Sequence, residues 1–150
     1  MGQSLVKQYI HIIFSTKRQE PLILNSIENE LFAYIGGICK NLECFPIIIG
    51  GYKNHIHVLC LLSKKIALMK LVEEIKSHSS KWIKTKDTRL KNFYWQNGYG
   101  AFSVSSSQVE IVKNYIENQH NHHKVKTFQE EYIEFLNSNQ IEFDQRYLWD

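Results

Sequence analysis

His55 and His57 lie one residue apart in Gly50-Gly51-Tyr52-Lys53-Asn54-His55-Ile56-His57-Val58, a run that reads as turn and strand. Side chains on a strand alternate faces, so the two imidazoles point the same way. Tyr115 and Gln119 lie four apart in a helix-like segment and share one helix face. Two imidazoles and an amide oxygen suit Mn²⁺ and tolerate Mg²⁺, whereas Zn²⁺ normally asks for a further His, Cys or carboxylate. A cation held there would polarise a phosphate oxygen, and a phenol beside it could attack phosphorus. Those four side chains form a kit for cutting and rejoining a phosphodiester.

Each residue also has an ordinary use. Histidines this close arise by chance, and a helical tyrosine is more often a packing residue. Gln119 shifts the balance, because a glutamine one turn beyond a tyrosine has no packing reason to be there. The helix presents Val109, Val112 and Ile116 as its apolar stripe, leaving Tyr115 and Gln119 for a second surface. On the strand, Ile56 and Val58 are expected to face the core while His55 and His57 face outward. His120, His122 and His123 read as a solvated, fraying helix end, and His11 and His78 carry no signal.

The elements that must position these groups follow from periodicity. Residues 7–15 predict a strand, 26–42 a helix with Ser26 as its cap, and 44–49 a second strand. A turn then runs from Gly50-Gly51 to Asn54, followed by a third strand from His55 to Leu62 and a helix from Ile66 to about Lys84. A short strand at 101–105 leads to a capping box, Ser107-x-x-Glu110, that opens the tyrosine helix, which runs to about Gln119 or beyond. A last helix fits 127–138, with a terminal extension over 141–150. The order β-α-β-β-α-β is ferredoxin-like: an α+β fold with an antiparallel four-stranded sheet, helices on one face, and an extra helix carrying Tyr115. With no repeat or linker, one domain over 1–150 is expected.

Charge is uneven. Residues 64–91 hold nine Lys/Arg against three acids, whereas 127–150 hold one Arg against six acids. The middle therefore offers a cationic surface, and the acidic tail is expected to avoid a polyanion. Lys76, Lys81, Lys84, Lys86, Arg89 and Lys91 interleave with Trp82, Phe93, Tyr94 and Trp95, the composition that single-strand binding requires. Trp82 itself is expected in the core. Lys17 and Arg18 could add a clamp at the end of the first strand. The tail is expected to pack Tyr132, Phe135, Leu136, Tyr147, Leu148 and Trp149 over the body or across a dimer interface. Cys39, Cys44 and Cys60 cannot all pair and read as free thiols. No signal pattern or bilayer-length apolar run is present, so a cytoplasmic protein with no membrane partner is expected.

Several stretches together carry a more specific likeness: GGYKNHIHVL (50–59), EIKSHSSKWIK (74–84), YWQNGYGAFSVS (94–105), YIENQHNHH (115–123), FQEEYIEFL (128–136) and FDQRYLW (143–149). With them the chain resembles, over nearly its whole length, the HUH single-tyrosine transposases of small bacterial insertion sequences (the insertion-sequence-two-hundred type) and their REP-associated relatives. The resemblance implies that His55, His57 and Gln119 hold Mg²⁺ or Mn²⁺ and that Tyr115 is the nucleophile. It further implies a 5′-phosphotyrosine intermediate on single-stranded DNA with hairpin or palindromic ends. It implies a homodimer too, often with the tyrosine helix of one subunit serving the His pair of the other. One departure is Asn54, where many members carry Asp. Three alternatives stay open: a relative acting on a host's repeat hairpins, a single-strand DNA-binding protein that has lost catalysis, and a small metal-binding structural protein.

Overall fold

A computed structural model describes residues 2–150. Four strands, β1 (Tyr9–Ser15), β2 (Pro46–Tyr52), β3 (His55–Leu61) and β4 (Gly100–Val104), form one antiparallel sheet in the order β2-β3-β1-β4. Helix α1 (Glu28–Asn41) links β1 to β2, and α2 (Leu68–Lys84) links β3 to β4. This is the ferredoxin-like order. Both connections pack on the same face, where Ile12 and Phe14 of β1 and Ile56 and Val58 of β3 meet Leu31, Ile35, Leu71 and Ile75.

The opposite face carries three further helices, α3 (Val109–Glu117), α4 (Gln119–His122) and α5 (Phe128–Ser138). Ile13 and Phe102 on the sheet are covered there by Phe128, Tyr132 and Leu136, an i, i+4, i+8 stripe on α5. The chain end folds back under this layer. Leu148 and Trp149 join the cluster, and the backbone N–H of Gly98 donates to the Asp150 carbonyl at 2.9 Å. Tyr147, expected to pack with them, is exposed.

Several boundaries move, each for a local reason. Gly50 and Gly51 belong to β2 rather than to the turn, which shortens to Lys53-Asn54. A Cβ on Gly50 would sit 2.7 Å from Ile116 Cγ2, and one on Gly51 would strike the His55 carbonyl. Gly50 thus lets α3 settle onto β2, and Gly51 lets β2 close against the His strand. Ser26 is not the α1 cap; Ile27 holds that position without a side-chain bond. The expected capping box at Ser107 is absent, because a 3-10 turn over Ser106–Gln108 precedes α3 and Ser107 Oγ lies 3.2 Å from Ser105 Oγ. A capping box does form at Thr127 and Glu130, opening α5. Cys39, Cys44 and Cys60 are free and buried. Among the described residues, no helix is long and apolar enough to cross a membrane.

Candidate metal and nucleophile centre

Strand alternation sends His55 and His57 to the α3–α5 side of the sheet, because Ile56, Val58 and Cys60 take the α1–α2 side. Antiparallel pairing places Ser15 opposite His55 and Ile13 opposite His57. The expectation that the imidazoles face outward is corrected: both are 0% exposed. The sheet face that carries them also carries Ile13 and Phe102, so apolar burial draws α5 across the histidines as well.

Tyr115 and Gln119 come to the same place. Asn118 breaks the expected continuous helix between them with φ −96° and ψ 19°, yet both side chains turn toward the His pair. Gln119 Oε1 lies 2.7 Å from His55 Nε2. The Tyr115 ring stacks on His122 and meets His57 and Phe135 edge-on.

The fifth member of the centre is Glu131, which the sequence reading missed. Its Oε1 lies 2.9 Å from His57 Nε2 and 3.5 Å from His55 Nε2, and its Oε2 accepts from Gln119 Nε2 at 2.9 Å and from the Tyr115 hydroxyl. The signal available was position. Phe128, Glu131, Tyr132, Phe135 and Leu136 follow the i, i+3, i+4, i+7, i+8 rule, so a carboxylate occupies a core-facing site on an amphipathic helix. Ligand atoms of His55, His57 and Glu131 all fall within 4.8 Å of one another.

Around these atoms the hydrogen bonds set tautomers. The Asn54 amide donates to the Gln19 carbonyl, which turns its Oδ1 toward His55 Nδ1 at 2.9 Å. His55 therefore donates from Nδ1 and presents an Nε2 lone pair to the centre, the form a metal ligand needs. Asn54 supplies the orienting bond that an Asp would. His57 Nδ1 lies 2.8 Å from Nε2 of His11, a buried residue that the sequence gave no reason to single out. His123, expected to be solvated, is only 4% exposed in its side chain. It donates from Nδ1 to the Lys126 carbonyl at 2.7 Å and aims Nε2 at Gln119 Oε1, 3.0 Å away. Of that histidine cluster His120 is the exposed member, 2.9 Å from Glu28.

This arrangement leaves lone pairs facing lone pairs. His55 Nε2 and Gln119 Oε1 are both acceptors at 2.7 Å, and turning the Gln119 amide over only sets its oxygen against Glu131 Oε2. Protonating His55 is no remedy at neutral pH, because burial, and then the charge of His57, lower it to about 3. For Glu131, burial works upward, but the charge of His57 and its hydrogen bond outweigh it and hold the carboxyl well below the usual carboxylate range. A cation among these atoms would satisfy all of them together, so the residues present fit a divalent metal. The Glu131 carboxylate also widens the ions that the donor set suits beyond those expected for two imidazoles and an amide.

The basic residues do not surround this centre. Helix α2 lies across the sheet from it, on the α1 side. Trp82 stacks on Tyr34 there, the Lys86 ammonium lies 4.9 Å from the Trp82 ring centroid, and Lys86 pairs with Glu30. Arg89 pairs with Asp87, the Lys84 ammonium lies 4.6 Å from the centroid of Tyr94, and Lys81 and Lys91 are exposed. Lys17 and Arg18 follow β1 and line a groove with Glu20, Leu22, Asn92 and Tyr94. Lys76 is turned inward: its ammonium donates to the carbonyls of Gln96, Asn97 and Gly98 at 2.7–3.1 Å. Burial lowers it to about 8, so it remains charged at neutral pH. Lys76→Met is therefore expected to cost about 2–4 kcal/mol of stability in a denaturant titration, through loss of charge-assisted bonds. A wild-type midpoint would show those bonds to be unimportant.

Residues 4–119 match the family model described as "Transposase IS200 like". The chain belongs to the IS200-like transposase family. The match ends at Gln119, so His123 and Glu131 lie beyond the stretch that defines this transposase's family membership. Two solved structures share its fold. One, a candidate transposase from Deinococcus radiodurans R1, is 18% identical with a TM-score of 0.62, covering 79% of this chain and 96% of that one. The other, a REP-associated tyrosine transposase bound to a REP hairpin, is 15% identical with a TM-score of 0.60, covering 82% of this chain and 73% of that one. No curated protein matches the transposase.

Proposed function

We propose that residues 1–150 act as a single HUH domain that nicks and rejoins single-stranded DNA through Tyr115. His55, His57 and Gln119, joined by Glu131, would hold Mn²⁺ or Mg²⁺. The observation that carries the reading is the meeting of Tyr115, Gln119 and the His pair on one carboxylate, although 58 or more positions separate the helix residues from the strand. The bound ion would polarise a non-bridging phosphate oxygen and offset the charge that builds at phosphorus.

The chain's own groups then do the rest. Tyr115 Oη attacks phosphorus, the bond from phosphorus to the 3′-oxygen breaks, and a free 3′-hydroxyl leaves with a proton. The tyrosine keeps the 5′-phosphate. Glu131 Oε2, already bonded to the phenol, is the nearest acceptor for its proton. In the chain alone, burial and then the Glu131 charge hold the Tyr115 phenol above its usual range, so positive charge at the His pair is needed to favour attack. A second strand's 3′-hydroxyl can reverse the step without a nucleotide cofactor, because the phosphotyrosine retains the energy of the diester. Since both imidazoles are fully covered, side chains packed over them must move aside before a phosphate reaches them.

Hairpin-ended DNA is the proposed substrate class, supported by the hairpin bound to the REP-associated neighbour. A homodimer is the proposed assembly, with Tyr115 serving its own chain's His pair, against which it rests. Incubating the protein with labelled hairpin-ended single strands and Mn²⁺, then running a denaturing gel, should give a protein–DNA adduct. Retarded DNA on native gels with neither adduct nor nick would instead favour a binding protein that has lost catalysis.

Glu131 adds a test of its own. Glu131→Gln preserves size and removes charge, and should weaken Mn²⁺ binding in calorimetry by at least about tenfold. Unaltered affinity would remove the carboxylate from the ion's surroundings.

A further inference from the structure

The cations of helix α2 sit across the sheet from the centre, which raises the question of what guides a strand on the centre's own side. A cleft of about 550 Å³ opens there, bounded by the β2–β3 turn, the segment after β1, and the stretch from α4 to the first turn of α5. Its size is within the range of about 300–1,000 Å³ usual for ligand clefts. We propose that this cleft, walled by Gln19, Tyr52, Lys53, His123, Lys124 and Lys126, seats the single strand next to the phosphate that is cut. The inference rests on the DNA-cleaving reading above and deepens it by naming the strand's path.

Three observations carry it. The first is connection to the centre. Asn54 and Phe128 line the cleft, and each also touches His55: Asn54 through its bond to Nδ1, Phe128 by stacking with centroids 4.6 Å apart. His123 likewise borders the cleft while its Nε2 points at Gln119 and Glu131. A strand in the cleft is thus one side chain from the proposed ligands. The second is charge. Lys53 and Lys124 are exposed and, among the described residues, have no carboxylate within ion-pair distance, whereas Lys126 is paired with Glu134 at 2.6 Å. Two uncommitted ammonium groups facing one cleft favour a polyanion's phosphates. The third is local geometry. The two-residue turn sends its members opposite ways: Asn54 bonds His55 inside, while Lys53, at φ 33°, stays outside with its ammonium 5.2 Å from the Tyr52 ring centroid. Tyr52 in turn stacks on His123, giving the cleft an aromatic wall of the kind that unpaired nucleotides use.

The test compares wild type with the Lys53→Gln/Lys124→Gln double variant, using a fluorescent hairpin-ended single strand in anisotropy titrations over a salt series. Both side chains are exposed, so the fold and Mn²⁺ affinity should be retained and are measured alongside. Affinity is expected to fall about tenfold, and the log–log salt slope to shrink by about 1.4, two single-strand phosphate contacts' worth. Affinity and slope within error of wild type would overturn the cleft, as would the same loss appearing instead in Lys81→Ala/Lys91→Ala on the α2 side. If wild type forms the covalent adduct while the double variant binds normally, the path is wrong and the chemistry stands. If wild type forms no adduct yet the double variant loses affinity, the cleft stands as a DNA seat and the cleavage reading falls.

Discussion

Tyr115→Phe should bind hairpin-ended single strands with wild-type affinity and form no covalent adduct. The hydroxyl is the only atom lost, and it lies at the centre, bonded to Glu131. The ring keeps its stacking on His122 and its edge contacts with His57 and Phe135, so the packing of α3 should survive. Losing a nucleophile typically removes at least about 10⁴-fold of rate, beyond the reach of a gel that detects one per cent conversion. An adduct that persists in this variant would move the nucleophile elsewhere. Loss of DNA binding together with the adduct would mean that the phenol also anchors the strand. Removing the hydroxyl also leaves Glu131 Oε2 with one hydrogen bond fewer while Gln119 still donates to it, so Mn²⁺ affinity measured beside the gel should hold or rise.

His57→Ala should abolish cleavage by a different route. His57 Nε2 faces Glu131 at 2.9 Å, and its other nitrogen lies 2.8 Å from His11. Truncation removes one proposed ligand and leaves a buried carboxylate and a buried imidazole short of partners. Mn²⁺ affinity in calorimetry should fall about 100-fold or more, and stability by about 3 kcal/mol, the scale for breaking a buried charged contact. His57→Gln offers a polar replacement that fills more of the space, and should recover part of the stability without the metal affinity. Wild-type Mn²⁺ affinity in both variants would defeat the metal assignment. The contrast with Tyr115→Phe is diagnostic, because one variant loses chemistry with the ion retained and the other loses the ion first.

Much of the architecture was legible because pattern and topology agree. Alternation in β1 and β3, helical spacing in α1 and α2, and the order of the elements leave few arrangements other than the ferredoxin-like one. Gly50-Gly51 misled, since a glycine pair suggests a turn, whereas here both admit close neighbours in a strand. His55, His57, Tyr115 and Gln119 stood out as residue types that packing does not call for. Glu131 did not, because it was counted with an acidic tail rather than placed on the buried stripe of α5. His123 and His11 were hidden for a similar reason: each looks unremarkable until an imidazole distant in the chain, His55 for one and His57 for the other, is brought beside it.

By itself the amino-acid order determined which side chains share a face and in what sequence the elements follow, because both are consequences of local backbone repeat. Only the folded chain decided what covers each face. Sheet pairing sets His57 beside Ile13 on a surface that must be covered, α5 covers it, and the cover carries Glu131. The same layering turned the lysines of α2 away from the centre and left Lys53 and Lys124 beside it. Contacts of that kind depend on packing across the sheet, which a one-dimensional pattern does not encode.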